Sequence, residues 1–155
     1  MGTPQIRPAG ATDIPDVRAM LKEYVEWIGL DLAFQEIDAE LEGLPGEYAP
    51  PRGALFVAID GHHYLGMIAL RSIDGPIGEM KRLFVRPEAR GRGLARQLIT
   101  TLCGEAKRLG YCELRLDTLP MMGGAQALYE AYGFVDIAPY YETPIDGTRF
   151  MGKKL

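Results

Sequence analysis

The stretch LFVRPEARGRGLARQLI, residues 83–99, decides the fold. It opens as the end of a strand at Leu83, Phe84 and Val85, passes Pro87, and turns through Arg90, Gly91, Arg92 and Gly93. Leu94, Ala95, Leu98, Ile99, Leu102, Ala106 and Leu109 then recur at the spacing of a helix with one apolar face, and Gly110 supplies its C-terminal stop. Residues 79–85 before the turn and 113–117 after the helix read as strands, so the three elements make a βαβ unit. Its strands are expected to run parallel with a right-handed crossover, which puts the glycine turn at the strand-to-helix junction.

Toward the N-terminus, residues 54–59 and 64–70 are short apolar runs flanking Asp60, Gly61, His62 and His63, the pattern of a hairpin; residues 72–78 read as a loop. Further back, Asp13 is an expected N-cap with Pro15 in the first turn, and Ile14, Val17, Met20, Leu21, Tyr24, Val25 and Ile28 form a helical stripe. A short second helix is expected over 37–44, stopped by Pro45 and Gly46, with a loop through Pro50 and Pro51. Toward the C-terminus, 125–132 reads as a helix ended by Gly133, and 134–137 and 148–154 as the last strands. The predicted class is α/β: a central, mostly antiparallel mixed sheet with one parallel βαβ unit and flanking helices. A chain of 155 residues suits one domain spanning 1–155.

Composition narrows the function. The net charge of -4 argues against a nucleic-acid partner, which needs a dense cationic surface. No apolar run approaches the roughly 20 residues of a membrane span, and residues 1–10 lack the apolar core of a signal peptide, so a cytoplasmic protein with no membrane partner is expected. Met1 and Gly2 begin like a myristoylation signal, but Ile6 stands where that signal needs Ser or Thr. Cys103 and Cys112 have neither metal-site nor redox spacing and are expected to be buried and reduced, and with His62 and His63 beside a turn no metal ligand set emerges. Against the acidic whole, residues 81–96 hold six cations (Lys81, Arg82, Arg86, Arg90, Arg92 and Arg96) and one anion, Glu88.

That basic island surrounds a helix start. Unpaired N–H groups and the positive end of the peptide dipoles attract phosphate there, and Gly91 and Gly93 permit a close backbone approach while Arg90 and Arg92 offer charge-assisted hydrogen bonds. Neither the P-loop pattern nor the G-x-G-x-x-G dinucleotide pattern is present. What is present, Arg90-x-x-Gly93-x-Ala95, closely resembles the [QR]-x-x-G-x-[GA] pyrophosphate signature of the GNAT acetyltransferases. Ala125-x-x-Leu128-Tyr129-x-x-x-Gly133-Phe134 is similar to a second element of that family at the expected distance downstream. The family often has Asn where Met122 stands, three residues before Ala125.

The resemblance implies the fold, an acyl-CoA N-acyltransferase architecture, and a donor, acetyl-CoA. It further implies that Leu83, Phe84 and Val85 pair with the pantetheine arm, and that N–H groups of Arg90, Gly91, Arg92, Gly93, Leu94 and Ala95 hold the pyrophosphate. The expected reaction is N-acetyl transfer to a primary amine by direct attack in a ternary complex, with a non-catalytic acyl-CoA-binding regulatory module as the alternative. An amine with a pKa near ~10.4 is almost wholly protonated at neutral pH, so a carboxylate must take its proton. Glu79, at the start of the strand entering the turn, is the expected general base, with Asp117 as a substitute; a merely paired Glu79, beside Lys81, is the plainer alternative. Tyr129 matches the family tyrosine that protonates the leaving thiolate. Between Asp16 and Glu47 there are nine acidic residues against Arg18 and Lys22, which suits a cationic amine acceptor, with solvated helix faces as the plainer alternative. Trp27, Phe34, Tyr48, Tyr140 and Tyr141 are candidates to line its pocket or equally to be core, and the C-terminal strands are the candidate edge for a homodimer, an oligomeric state the sequence does not fix.

Overall fold

The computed structural model describes residues 3–32 and 36–155, so Met1, Gly2 and Phe34 lie outside the described residues. Seven strands form one sheet: β1 (Gln5–Pro8), β2 (Ala54–Asp60), β3 (His63–Asp74), β4 (Ile77–Val85), β5 (Glu113–Thr118), β6 (Val135–Asp136) and β7 (Arg149–Lys154), in the order β1-β2-β3-β4-β5-β7-β6. The β4–β5 pair is parallel and every other pair antiparallel. Helices α1 (Ile14–Ile28) and α2 (Ile37–Gly43) cover one face; α3 (Leu94–Arg108) and α4 (Gly123–Ala131) cover the other.

Each helix lies where its stripe requires. Val17, Met20, Leu21, Tyr24 and Ile28 of α1 are buried against Val57, Met67, Ala69 and Phe84 of the sheet. Leu94, Leu98, Ile99, Leu102 and Ala106 of α3 are buried against Ile68, Leu70, Met80 and Leu114. Full burial of each large aliphatic side chain contributes about 1.5–3 kcal/mol, which fixes the α3 crossover over the sheet. Among the described residues no helix is long and apolar enough to cross a membrane.

Several expectations need correction. β1 was not anticipated, because four residues carrying Arg7 and Pro8 show no alternation. The loop expected over 72–78 shrinks to a tight turn at Gly75 and Pro76, with Ser72 and Gly78 paired in the β3–β4 ladder. Asp13 occupies the N-cap position of α1 without a side-chain cap bond: Arg7 donates to both its oxygens at 2.7 and 2.9 Å, and the Gly10 N–H and Tyr64 hydroxyl donate as well. Cys103 is half-buried and Cys112 exposed, so the expected burial fails for Cys112; both are free thiols.

Strand β4 departs from regular pairing on both of its sides. It pairs with β5 only at Ile77↔Glu113, Gly78↔Leu114 and Glu79↔Arg115, and the strands then part. On its other side the register with β3 slips, so Arg82 and Leu83 stand opposite Ile68 alone, and Arg82 takes φ +60°. A bulge of this kind bends the strand and re-aims its side chains.

Candidate active site

Beyond the last β4–β5 pair, Met80 to Val85 of β4 and Asp117 of β5 line a cavity of about 680 Å3. Its walls come from both faces: Tyr24 and Trp27 of α1 on one, Leu94 and Ala95 of α3 with Leu128 and Tyr129 of α4 on the other, and Met80 to Val85 of β4 along its length. Of the expected donor residues, Leu83, Phe84, Val85, Arg90, Gly91, Gly93, Leu94 and Ala95 line it together with Tyr129; Arg92 does not. Gly91 and Gly93 have φ +81° and +77°, and a Cβ on either would meet no atom within 4 Å. Glycine is therefore required there by conformation, and the space above the turn is open to a ligand. Arg90 donates from Nε to the Val85 carbonyl at 3.0 Å and lays its guanidinium 5.0 Å from the centre of the Trp27 ring. A diphosphate with a long apolar arm fits this combination of a glycine-opened helix start and a largely apolar channel.

Tyr129 is 6% exposed and packs at a tilt on Phe134, ring centres 5.9 Å apart. Burial, reinforced by Tyr24 and the Asp117 charge, pushes its phenol well above the usual value, so it stays protonated and able to donate.

Glu79 is not in this cavity. It is 1% exposed and faces a second cavity of about 470 Å3 walled by Glu36, Glu40, Glu47, Tyr48, Arg71, Tyr141 and Glu142. Arg71 donates to Glu79 Oε1 at 2.7 Å and the Tyr140 hydroxyl to Oε2 at 2.6 Å. Asp117, two residues past the last β4–β5 pair, lines the first cavity itself and accepts from Tyr141. Tyr140 and Tyr141 stack edgewise on each other and on Phe150 at 5.1 to 5.6 Å, so one aromatic cluster after β6 holds both carboxylates. Each phenol is driven up by burial first and then by its carboxylate partner.

Between the cavities lies a buried ion pair. Arg82 donates from Nε and Nη2 to the two oxygens of Glu40, both at 2.9 Å, and the Tyr48 hydroxyl donates to Glu40 at 3.0 Å. Burial alone would raise the Glu40 carboxyl, yet the Arg82 hydrogen bonds and charge hold it below the usual value. The bulge lets the adjacent Lys81 and Arg82 both serve this face, and Lys81 alone of the two lines both cavities. The sequence marked Lys81 as part of the basic island and as a neighbour of Glu79, but not the Arg82–Glu40 pair, because a positive φ in mid-strand leaves no mark on residue type. Met122 also lines the first cavity, at the position where the resembling family often carries Asn. Among the described residues no cluster of three or more His, Cys, Asp or Glu could hold a metal.

Residues 15–134 match the family model described as the acetyltransferase (GNAT) family. An uncharacterized N-acetyltransferase of Schizosaccharomyces pombe is 40% identical over 141 residues, 90% of this chain and 86% of that protein. A GNAT-family acetyltransferase of Staphylococcus aureus superposes with a TM-score of 0.82 at 20% identity over 98% of this chain and 99% of its own. A PaiA N-acetyltransferase of Thermoplasma acidophilum, solved with coenzyme A, does so at 0.77 and 20% identity over 99% and 100%.

Proposed function

The chain belongs to the GNAT acetyltransferase family, and on that premise we propose that it moves an acetyl group from acetyl-CoA to a primary amine by direct attack in a ternary complex. The observation that carries the reading is one cavity lined both by Arg90, Gly91 and Gly93 of the glycine turn and by a buried phenol, Tyr129. The N–H groups from Arg90 to Ala95 hold the pyrophosphate, and the strand edge freed by the β4–β5 gap, Leu83 to Val85, pairs with the pantetheine arm. A backbone N–H near Phe84 or Val85 steadies the tetrahedral oxygen, and Tyr129 returns a proton to the departing sulfur.

The acceptor enters from the face of α1 and α2, through the cavity that Glu79 borders. Glu36, Glu47 and Glu142 give that cavity an acidic rim, which favours a cationic amine. Glu79 is the general base; because Arg71 and Tyr140 engage its two oxygens, proton transfer runs through water at the remaining lone pairs. A homodimer paired along the β6 edge, where Val135 is 63% exposed, belongs to the same reading, with light scattering as its measurement.

The test has two arms. Acetyl-CoA at about a hundredfold over its Kd should raise Tm by roughly 5–10 °C, and no shift would remove the donor assignment. A panel of small amines and peptides should release free coenzyme A thiol in proportion to acceptor. Saturable binding with no acceptor-dependent release would leave only the regulatory module.

A further inference from the structure

We infer that Lys81 is itself an acetylation site of this enzyme: with the acceptor cavity empty, its ε-amine takes the acetyl group of the bound acetyl-CoA. The inference rests on the donor reading above and adds a second acceptor, built into the chain.

Lys81 is the single lysine among the donor cavity's lining residues, and it lines the acceptor-side cavity as well. Its side chain is 10% exposed, whereas Lys22, Lys107 and Lys154 are exposed and Lys153 is tied to the Tyr132 carbonyl. The other cations on its face are matched: Arg71 by Glu79 and Glu47, Arg82 by Glu40. Lys81 has Glu79 Oε1 at 4.0 Å, an oxygen that already accepts from Arg71, and no hydrogen bond to its amine is formed among the described residues. Burial, followed by the charge of Arg82, pushes the amine below its usual value, with Glu79 opposing and Arg71 adding to the shift. A less basic amine is neutral more of the time, and only the neutral form is nucleophilic.

The chemistry is that of the intermolecular reaction. Lys81 Nζ attacks the thioester carbonyl, the N–C bond forms and the C–S bond breaks. The proton shed by nitrogen passes to Glu79 and the leaving sulfur takes one from Tyr129. The products are Nε-acetyl-Lys81 and free coenzyme A, and the modified side chain no longer carries charge into the acceptor cavity.

The experiment is to incubate the intact protein with acetyl-CoA and no amine, then measure its mass and map its peptides. One acetyl group per chain on the peptide holding Lys81, appearing more slowly in Tyr129→Phe, is the expected result. Three outcomes overturn it: no acetyl on Lys81 although acetyl-CoA raises Tm, equal labelling of Lys22, Lys107 and Lys154, or undiminished labelling of a Lys81→Arg protein whose circular dichroism shows it folded. Mapping of the unaltered protein decides the matter if Lys81→Arg fails to fold. Absence of any Tm shift would instead bring down the donor reading, and this inference with it.

Discussion

In the proposed transfer Tyr129 and Glu79 stand on opposite sides, and their surroundings differ: Tyr129 lines the first cavity and Glu79 the second. The phenol is buried, kept protonated and open to the donor cavity, so Tyr129→Phe should lower kcat by about a hundredfold or more while the Kd for acetyl-CoA stays unchanged. Unchanged turnover would remove the acid role. Glu79 is gripped by Arg71 and Tyr140, contacts that glutamine can partly reproduce, so Glu79→Gln should fold and lose activity most at low pH, where the acceptor is most fully protonated. A pH-rate profile overlaying that of the unaltered protein would move the base elsewhere, and the same profile for Asp117→Asn would show whether it moves to the carboxylate inside the donor cavity. Both side chains were named from sequence, one from its motif and one from its strand position. That they face different cavities was not legible, since the bulge and the parting of β4 from β5 leave no residue-type signature.

Among the elements, the turn into α3 carries the donor assignment. Gly93 is the N-cap of α3 at φ +77° with open space above it, so Gly93→Ala costs about 1–2 kcal/mol in conformation alone and sets a methyl where a ligand oxygen would approach. The strain falls on folding stability, whereas the methyl in the ligand's path should weaken coenzyme A binding, measured by calorimetry, by about tenfold; equal affinity would place the pyrophosphate elsewhere. α1 meets the same turn through Trp27, the one tryptophan in the chain, 46% exposed and in contact with Arg90. Coenzyme A that draws Arg90 toward phosphate should therefore change the tryptophan emission, and a titration leaving the spectrum unaltered would argue that α1 does not border the bound donor. The apolar stripes of α1 and α3 made both helices readable in advance. β1 and the short β3–β4 turn were hidden, because edge strands and turn lengths are set by pairing partners rather than by local pattern.

For the molecule as a whole, buried charge makes stability depend on acid. Glu40 is held below its usual value in the folded protein, so the unfolded chain takes up the proton first; the contribution of Glu40 is complete above the unfolded value near ~4.3 and is lost as pH falls through the folded one. Glu40→Gln leaves the Arg82 guanidinium buried without its counter-charge, and should cost about 3 kcal/mol at neutral pH in urea unfolding while flattening the loss of stability below that range. An unchanged midpoint would mean that the pair contributes nothing to the coupling of α2 with β4. By itself the sequence determined the class of fold, the βαβ unit, the glycine turn and the tyrosine, because periodicity, glycine placement and motif spacing are local properties of the chain. The tertiary structure alone decided that the turn and Tyr129 share one cavity, that Glu79 looks into another, and that Lys81 borders both. Those relations arise where β4 bulges against β3 and parts from β5, and they depend on which distant strands pair, which no local pattern records.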